Sequence, residues 1–365
     1  MHAIIIGAGV AGLSLAASLA NRSVRVTLLE QESAPGMYAS GRNAAIARSY
    51  ESDPYLSMMV KESILTMYHR NSPQRELIRQ TDLWMEPLEY DYQEDSFLEM
   101  HSDALKENFR SQTGSVDLPD GSRWKALRLA SGGIMDPGAI LQDLQESARQ
   151  GNFTFMPNTK LAGVTIGDTS ITAISTDGSY DSGFRLSGDD VLVLATGSWA
   201  TSPPAGITAL PLVPHKRHLF VLRSPHGPIS SDFPIYWKEN SEFYVRREGP
   251  QLIATHGDQT PVACDDYAAD ASAGERFSEA ACHAFPFLAD FQLVRHWACL
   301  RTFPLDGRPV MGYDPHLANL FWHAGFGGRG MSLAYAIGDY SADLWLAGPR
   351  LEDETINPFT PHRFF

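Results

Sequence analysis

The chain has 365 residues, enough for about two domains, and 29 basic against 43 acidic residues give a formal net charge of −14. That balance, with no basic stripe, excludes a phosphate-tracking nucleic-acid binder and a protein docked on anionic membrane. With 43% apolar and 20% charged residues the chain is neither disordered, collagen-like nor coiled coil, and Cys264, Cys282 and Cys299 form neither a disulfide framework nor a paired zinc motif.

Residues 3–6 read as a buried strand, residues 11–21 as a helix with Leu13, Ala16, Ala17 and Leu19 on its apolar face, and residues 24–29 as a second strand ending in Glu30. The uncharged run 3–20 has the look of a signal sequence or short membrane span. However, only His2 precedes it, three glycines interrupt it and another strand-like run follows, so the expectation is a cytoplasmic protein without a strong membrane signal. A helix is expected over 54–70, then a mixed stretch with Trp84, Tyr90, Tyr92 and Phe97 scattered among charges. Asp136-Pro137 has the N-cap and first-turn residues of a helix running to Arg149. Strands follow over 160–166, 170–175 and 190–195, the last leading into Thr196-Gly197-Ser198-Trp199. Between 205 and 300, short alternating segments such as 218–222, 242–246 and 251–255 suggest an antiparallel sheet. A buried strand over 319–324, a glycine-rich loop and a helix from about Met331 to Leu346 close the chain.

Gly7-Ala8-Gly9-Val10-Ala11-Gly12 is a GxGxxG turn between the first strand and helix. Its glycines allow the tight turn, the approach of a pyrophosphate and close helix–strand packing, with the phosphate on a helix N-terminus. Glu30 lies eighteen residues beyond Gly12, the place of a ribose-binding carboxylate. The fingerprint by itself does not separate FAD from NAD. The segment 36–45 (GMYASGRNAA) and the far C-terminal glycine loop favour FAD, a long cofactor enclosed by both ends of the chain. The expected fold is α/β: a Rossmann-like FAD-binding domain (1–75, 140–204 and 302–365) interleaved with an antiparallel-sheet substrate domain (76–139 and 205–301).

Several separated blocks carry a resemblance: IIIGAGVAG (4–12), SGRNAA (40–45), VLVLATGSW (191–199), WACLRTFPLDGRPVMGY (297–313) and FWHAGFGGRGM (321–331). Together they resemble the FAD-dependent amino-acid and amine oxidoreductases of the D-amino-acid oxidase type, nearest to D-arginine dehydrogenase, glycine oxidase and sarcosine oxidase. The resemblance implies that Ser40, Gly41, Arg42, Asn43 and Ala44 run beside the cofactor, with Ala195, Thr196 and Gly197 beneath it and Val164 near its adenine end. It implies that Gly327, Gly328, Arg329, Gly330 and Met331 lay N–H groups and a helix N-terminus beside the flavin.

By the same resemblance Arg301 grips the substrate carboxylate, a task that suits a guanidinium because its two parallel donors fix orientation. Tyr244 stands near the substrate or packs in its strand. Lys216 and Arg217 are pocket residues or a solvated basic pair, and Arg48 and Tyr50 match the family more weakly. Cys299, two residues before Arg301, stands where sarcosine oxidase attaches its flavin covalently, although cysteine is also a common small core residue. No metal set or P-loop competes. The expected reaction is oxidation of an α-amino acid, D-configured or secondary, to an imine by hydride transfer to flavin N5 and hydrolysis, with oxygen or a quinone as electron acceptor. An FAD-dependent 2-hydroxy-acid dehydrogenase and a non-catalytic flavoprotein subunit remain open alternatives.

Overall fold

A computed structural model describes residues 1–86, 109, 111–129, 131–179, 183–349 and 354–365. Tyr90, Tyr92 and Phe97 lie outside the described residues. The apolar run after His2 forms β1 (His2–Ile6), buried along its whole length. Such a strand belongs in the middle of a parallel sheet covered on both faces, and β1 pairs in parallel with β2 (Arg25–Leu29) on one side and Asp190–Leu194 on the other. The sheet has six strands, in the order Val310–Tyr313, Leu320–Ala324, Asp190–Leu194, β1, β2, Phe153–Met156. Val310–Tyr313 at one edge is antiparallel. Helix α1 (Val10–Asn21) crosses between β1 and β2 and packs in one core layer with the helices Pro137–Ala148 and Ala336–Ala347. A second apolar layer around Leu192, Leu320 and Trp322 covers the other face.

A nine-stranded sheet draws its strands from Leu83–Leu129 and Leu212–Pro304, so the chain crosses between the two sheets more than once. It is antiparallel throughout except where Ile235–Lys238 runs parallel to Leu83–Met85. Its longest pairing joins Leu212–Arg223 to Gln292–Pro304. The helix Ala273–Ala284 closes a third core on this sheet, with Phe277 stacked on Phe220. The expected boundaries after residues 139 and 301 fall inside a continuous helix and a continuous strand.

Two helices start on aspartate N-caps, of which the one at Asp136 was expected. Asp53 accepts hydrogen bonds from the Tyr55 and Leu56 N–H groups to start the helix Pro54–Arg70, and Asp136 accepts from Ala139 to start Pro137–Ala148. Two expectations are corrected. The C-terminal helix starts at Ala336 and not at Met331, because tertiary contacts take up the groups of the would-be first turn: Tyr335 N donates to Ser63 Oγ and Ser14 Oγ donates to the Ala334 carbonyl. Glu242 does not open its strand, which begins at Phe243. Glu242 is a turn residue with φ of +48°.

Candidate active site

The C-terminal ends of the parallel strands open into a cleft of about 540 Å³ whose other wall is the nine-stranded sheet. At its floor, Gly7 has φ of +103°, and a Cβ there would lie 2.6 Å from the Ala195 carbonyl oxygen, so only glycine turns the chain this tightly against the neighbouring strand. A Cβ on Gly12 would lie 1.9 Å from the Gly7 carbonyl, which explains why helix and strand meet so closely. Gly9 is the N-cap of α1 and offers no side-chain cap. Gly9, Val10 and Ala11 line the cleft at this helix start, and Val10 N donates to Ser40 Oγ at 3.0 Å. That geometry suits a phosphate. Glu30 ends β2 and accepts from Ala8 N at 2.7 Å and Glu32 N at 3.0 Å. Burial pushes its carboxyl above the usual range, against the pull of those two N–H groups.

Most of the expected residues line this one cleft: Gly7, Gly9, Glu30, Ser40, Asn43, Ala44, Ala195, Thr196, Gly197, Arg217, Tyr244, Cys299, Arg301, Gly327, Gly328, Gly330 and Met331. Others stand behind it. Gly41 supports the turn, since a Cβ there would lie 2.4 Å from the Gly36 carbonyl oxygen. Arg42 donates to the Met37 carbonyl and lies over the rings of Tyr38 and Tyr267. Arg329 points away to Glu51 at 3.0 Å and the Gly307 carbonyl at 3.1 Å. Val164 packs in the core outside the cleft, and the earlier residues 159–162 of its strand line the wall instead. Arg48 is held by Glu51 and Glu239 and lies over Trp237. Tyr50 packs at the edge of the Leu83–Ile235 core. Lys216 is also corrected: strand alternation turns it to the face opposite Arg217, where Asp266 at 2.8 Å and Asp270 at 3.1 Å hold it.

The charged end of the cleft is built on adjacent strands. Arg217 sits opposite Cys299 in the register, which places Arg217 and Arg301 diagonally on one face. Arg301 Nη2 donates to the Tyr244 hydroxyl at 3.3 Å, and Arg301 Nη1 lies 3.7 Å from Glu242 Oε2. The same Glu242 oxygen accepts from Arg217 Nη2. Burial works against charge on Glu242, but the Arg217 and Arg301 guanidiniums outweigh it and hold the carboxyl below its usual range. Tyr244 is fully buried and stacks on Trp237 with ring centroids 4.6 Å apart. Burial raises its phenol, against both arginines, so the hydroxyl keeps its proton. Burial likewise keeps Cys299 a thiol, against the same arginines, and its Sγ donates to the Arg217 carbonyl at 3.6 Å.

Gly328 ties the two walls together. Its φ is +84°, and a Cβ there would lie 2.8 Å from Arg301 Nε and 2.9 Å from Cδ. The arginine side chain therefore lies directly against the glycine loop that borders the cofactor cleft. Three contributors leave no motif in the sequence: Glu242, which follows the strand alternation but stands in a turn, Trp237 on the cleft wall, and Cys264, Asp265 and Tyr267, brought to the wall by tertiary contacts such as Ser198 Oγ to the Cys264 carbonyl at 2.7 Å. The described residues contain no His/Cys/Asp/Glu group able to hold a metal ion, and no helix long and apolar enough to cross a membrane.

A glycine turn opening on a bare helix N-terminus, an acid at the end of the next strand and a second sheet roofing the cleft define an α/β dinucleotide-binding protein of two interleaved parts. The chain belongs to the DAO family of FAD-dependent oxidoreductases, whose model matches residues 2–344. It is 26% identical to glycine oxidase of Pseudomonas aeruginosa over 367 aligned positions, covering 93% of each chain. Its fold is similar to that of L-proline dehydrogenase from P. horikoshii, with a TM-score of 0.78 at 20% identity, covering 100% of this chain and 97% of that one. It is also similar to iminodiacetate oxidase from Chelativorans sp. BNC1, with a TM-score of 0.75 at 17% identity and 98% of both chains covered.

Proposed function

We propose that the protein oxidises an α-amino acid, D-configured or N-substituted, to its imine, which water then hydrolyses to a carbonyl compound and an amine or ammonia. The observation that carries this reading is Arg301: a guanidinium 19% exposed, resting on Gly328 at the junction of the cofactor loop and the second sheet. The residues fit FAD. The Gly7–Gly12 turn and α1 would take the pyrophosphate, Glu30 the ribose, and the backbone of 40–44, 195–197 and 327–331 the flavin half, with no Cβ of Gly9 or Gly328 in the way. Bound FAD supplies a two-electron acceptor for the hydride leaving the substrate Cα.

The chain's own residues supply orientation. Arg301 offers a fork of donors to the substrate carboxylate, and the protonated Tyr244 hydroxyl adds one more donor beside it. Fixing the carboxylate there presents the Cα–H toward the cofactor cleft. The amine binds neutral, its lone pair becomes the C=N bond as the hydride leaves, and its remaining proton passes to water on deprotonation or hydrolysis. No buried carboxylate of this chain is required as a base. Anaerobic addition of D- and L-amino acids, N-methylglycine, proline and 2-hydroxy acids to the yellow protein tests the reading. Bleaching by a D-amino acid, N-methylglycine or proline supports it, whereas bleaching only by primary L-amino acids or hydroxy acids, or by none of the panel, overturns it.

A further inference from the structure

Among the described residues Arg217 is a buried arginine with two unpartnered guanidinium nitrogens, Nε and Nη1. Its side chain is 1% exposed and lines the cleft. Only Nη2 is engaged, by Glu242. A buried donor left unpaired is costly, and two on one guanidinium are uncommon in a folded core. Arg217 does not share one bound carboxylate with Arg301, because Glu242 already fills that shared position. Its Oε2 meets Arg217 Nη2 on one side and lies 3.7 Å from Arg301 Nη1 on the other. Glu242 is a turn residue with φ of +48°, and Gln259 Nε2 donates to its other oxygen at 2.7 Å. What remains for ligands is therefore divided. Arg301 Nη2 with the Tyr244 hydroxyl forms one donor set, and Arg217 Nε and Nη1 form a second.

We propose that Arg217 forms an anion subsite separate from the α-carboxylate clamp, and that the substrate is an amino acid carrying a second carboxylate. The inference rests on the amino-acid reading above and narrows it. A second carboxylate gives Arg217 Nε and Nη1 the acceptors they lack, whereas a monocarboxylate held by Arg301 and Tyr244 leaves them unpaired. Glu242 is a positioning residue that keeps the two guanidiniums apart.

The test uses the FAD-loaded protein and matched pairs: D-aspartate against D-asparagine, and N-(carboxymethyl)glycine against N-ethylglycine. We expect the acidic member of at least one pair to have a kcat/KM about tenfold or more above its neutral partner. Arg217→Met should collapse that ratio to about one. Preference for the neutral member in both pairs overturns the inference, as does a ratio that Arg217→Met leaves intact. Titration with malonate and propionate, followed by the flavin spectrum, reads the same subsite without turnover. Malonate should bind about tenfold more tightly than propionate, with the advantage reduced in Arg217→Lys. Equal binding of the two overturns the subsite. If no amino acid bleaches the flavin while malonate still binds selectively, the oxidation reading fails and the subsite stands.

Discussion

Replacing Arg301 with methionine separates substrate binding from fold and cofactor more cleanly than any other change. Among the described residues the arginine has loose polar partners, a 3.3 Å hydrogen bond to Tyr244 and a 3.7 Å approach to Glu242, which keeps its closer pair with Arg217. Losing such contacts costs the fold about 1 kcal/mol or less, and methionine fills the space on Gly328 with a similar stem. The substrate carboxylate, by contrast, loses its charged partner in a secluded site, a change that costs roughly 2–5 kcal/mol. At about 1.4 kcal/mol per decade, kcat/KM should fall between about 30-fold and about 4,000-fold. Flavin content and the thermal midpoint should stay close to those of the parent. Arg301→Lys should recover only part of the loss, because one ammonium does not reproduce the planar fork. Amines without a carboxylate should be poor substrates of the parent and lose little further in the variant. Stopped-flow reduction under anaerobic conditions reads all of this. Normal reduction by amino acids in Arg301→Met, or loss of flavin instead, would refute the clamp.

Gly9→Val should yield a colourless protein, since a Cβ there already lies 3.1 Å from Ser40 Oγ and the branches would occupy the phosphate approach; full FAD content in that variant would remove the fingerprint assignment. Glu30→Gln should weaken FAD binding about tenfold while the fold survives, because the ribose loses a charged acceptor; an unchanged dissociation constant counts against that role. Acid precipitation should release the flavin, because burial keeps the Cys299 thiol protonated and unreactive; colour that stays with the pellet and disappears in Cys299→Ser would reverse this. Burial raises the Asp258 carboxyl, but hydrogen bonds from the His218 ring at 2.6 Å and backbone outweigh it and leave the group below its usual range. The stability it contributes is therefore fully present above the ordinary carboxylate value of about 4 and is lost as pH falls through the lowered folded value. The parent's thermal midpoint should drop more steeply across that interval than that of Asp258→Asn; parallel curves would show that the pair contributes nothing.

The sequence by itself determined the βαβ unit, the glycine turn and the position of Glu30, because each rests on neighbours within about thirty residues whose apolar spacing and φ requirements are local. Asp136, followed by Pro137, announced its helix for the same reason. The chain also held the arginines in plain view, but adjacency along it misled: Lys216 and Arg217 are one residue apart and face opposite sides of a strand, and only the sheet's packing decides which side is the cleft. The C-terminal helix kept its periodicity but lost its first turn to Ser63 and Ser14, hydroxyls more than 250 residues away. Arg217, Glu242, Tyr244 and Arg301 come from three strands and a turn, so their convergence depends on pairing register. Tertiary structure alone decided that Glu242 stands between the two guanidiniums, because a left-handed turn residue is positioned by the walls around it and leaves no periodic trace in the sequence.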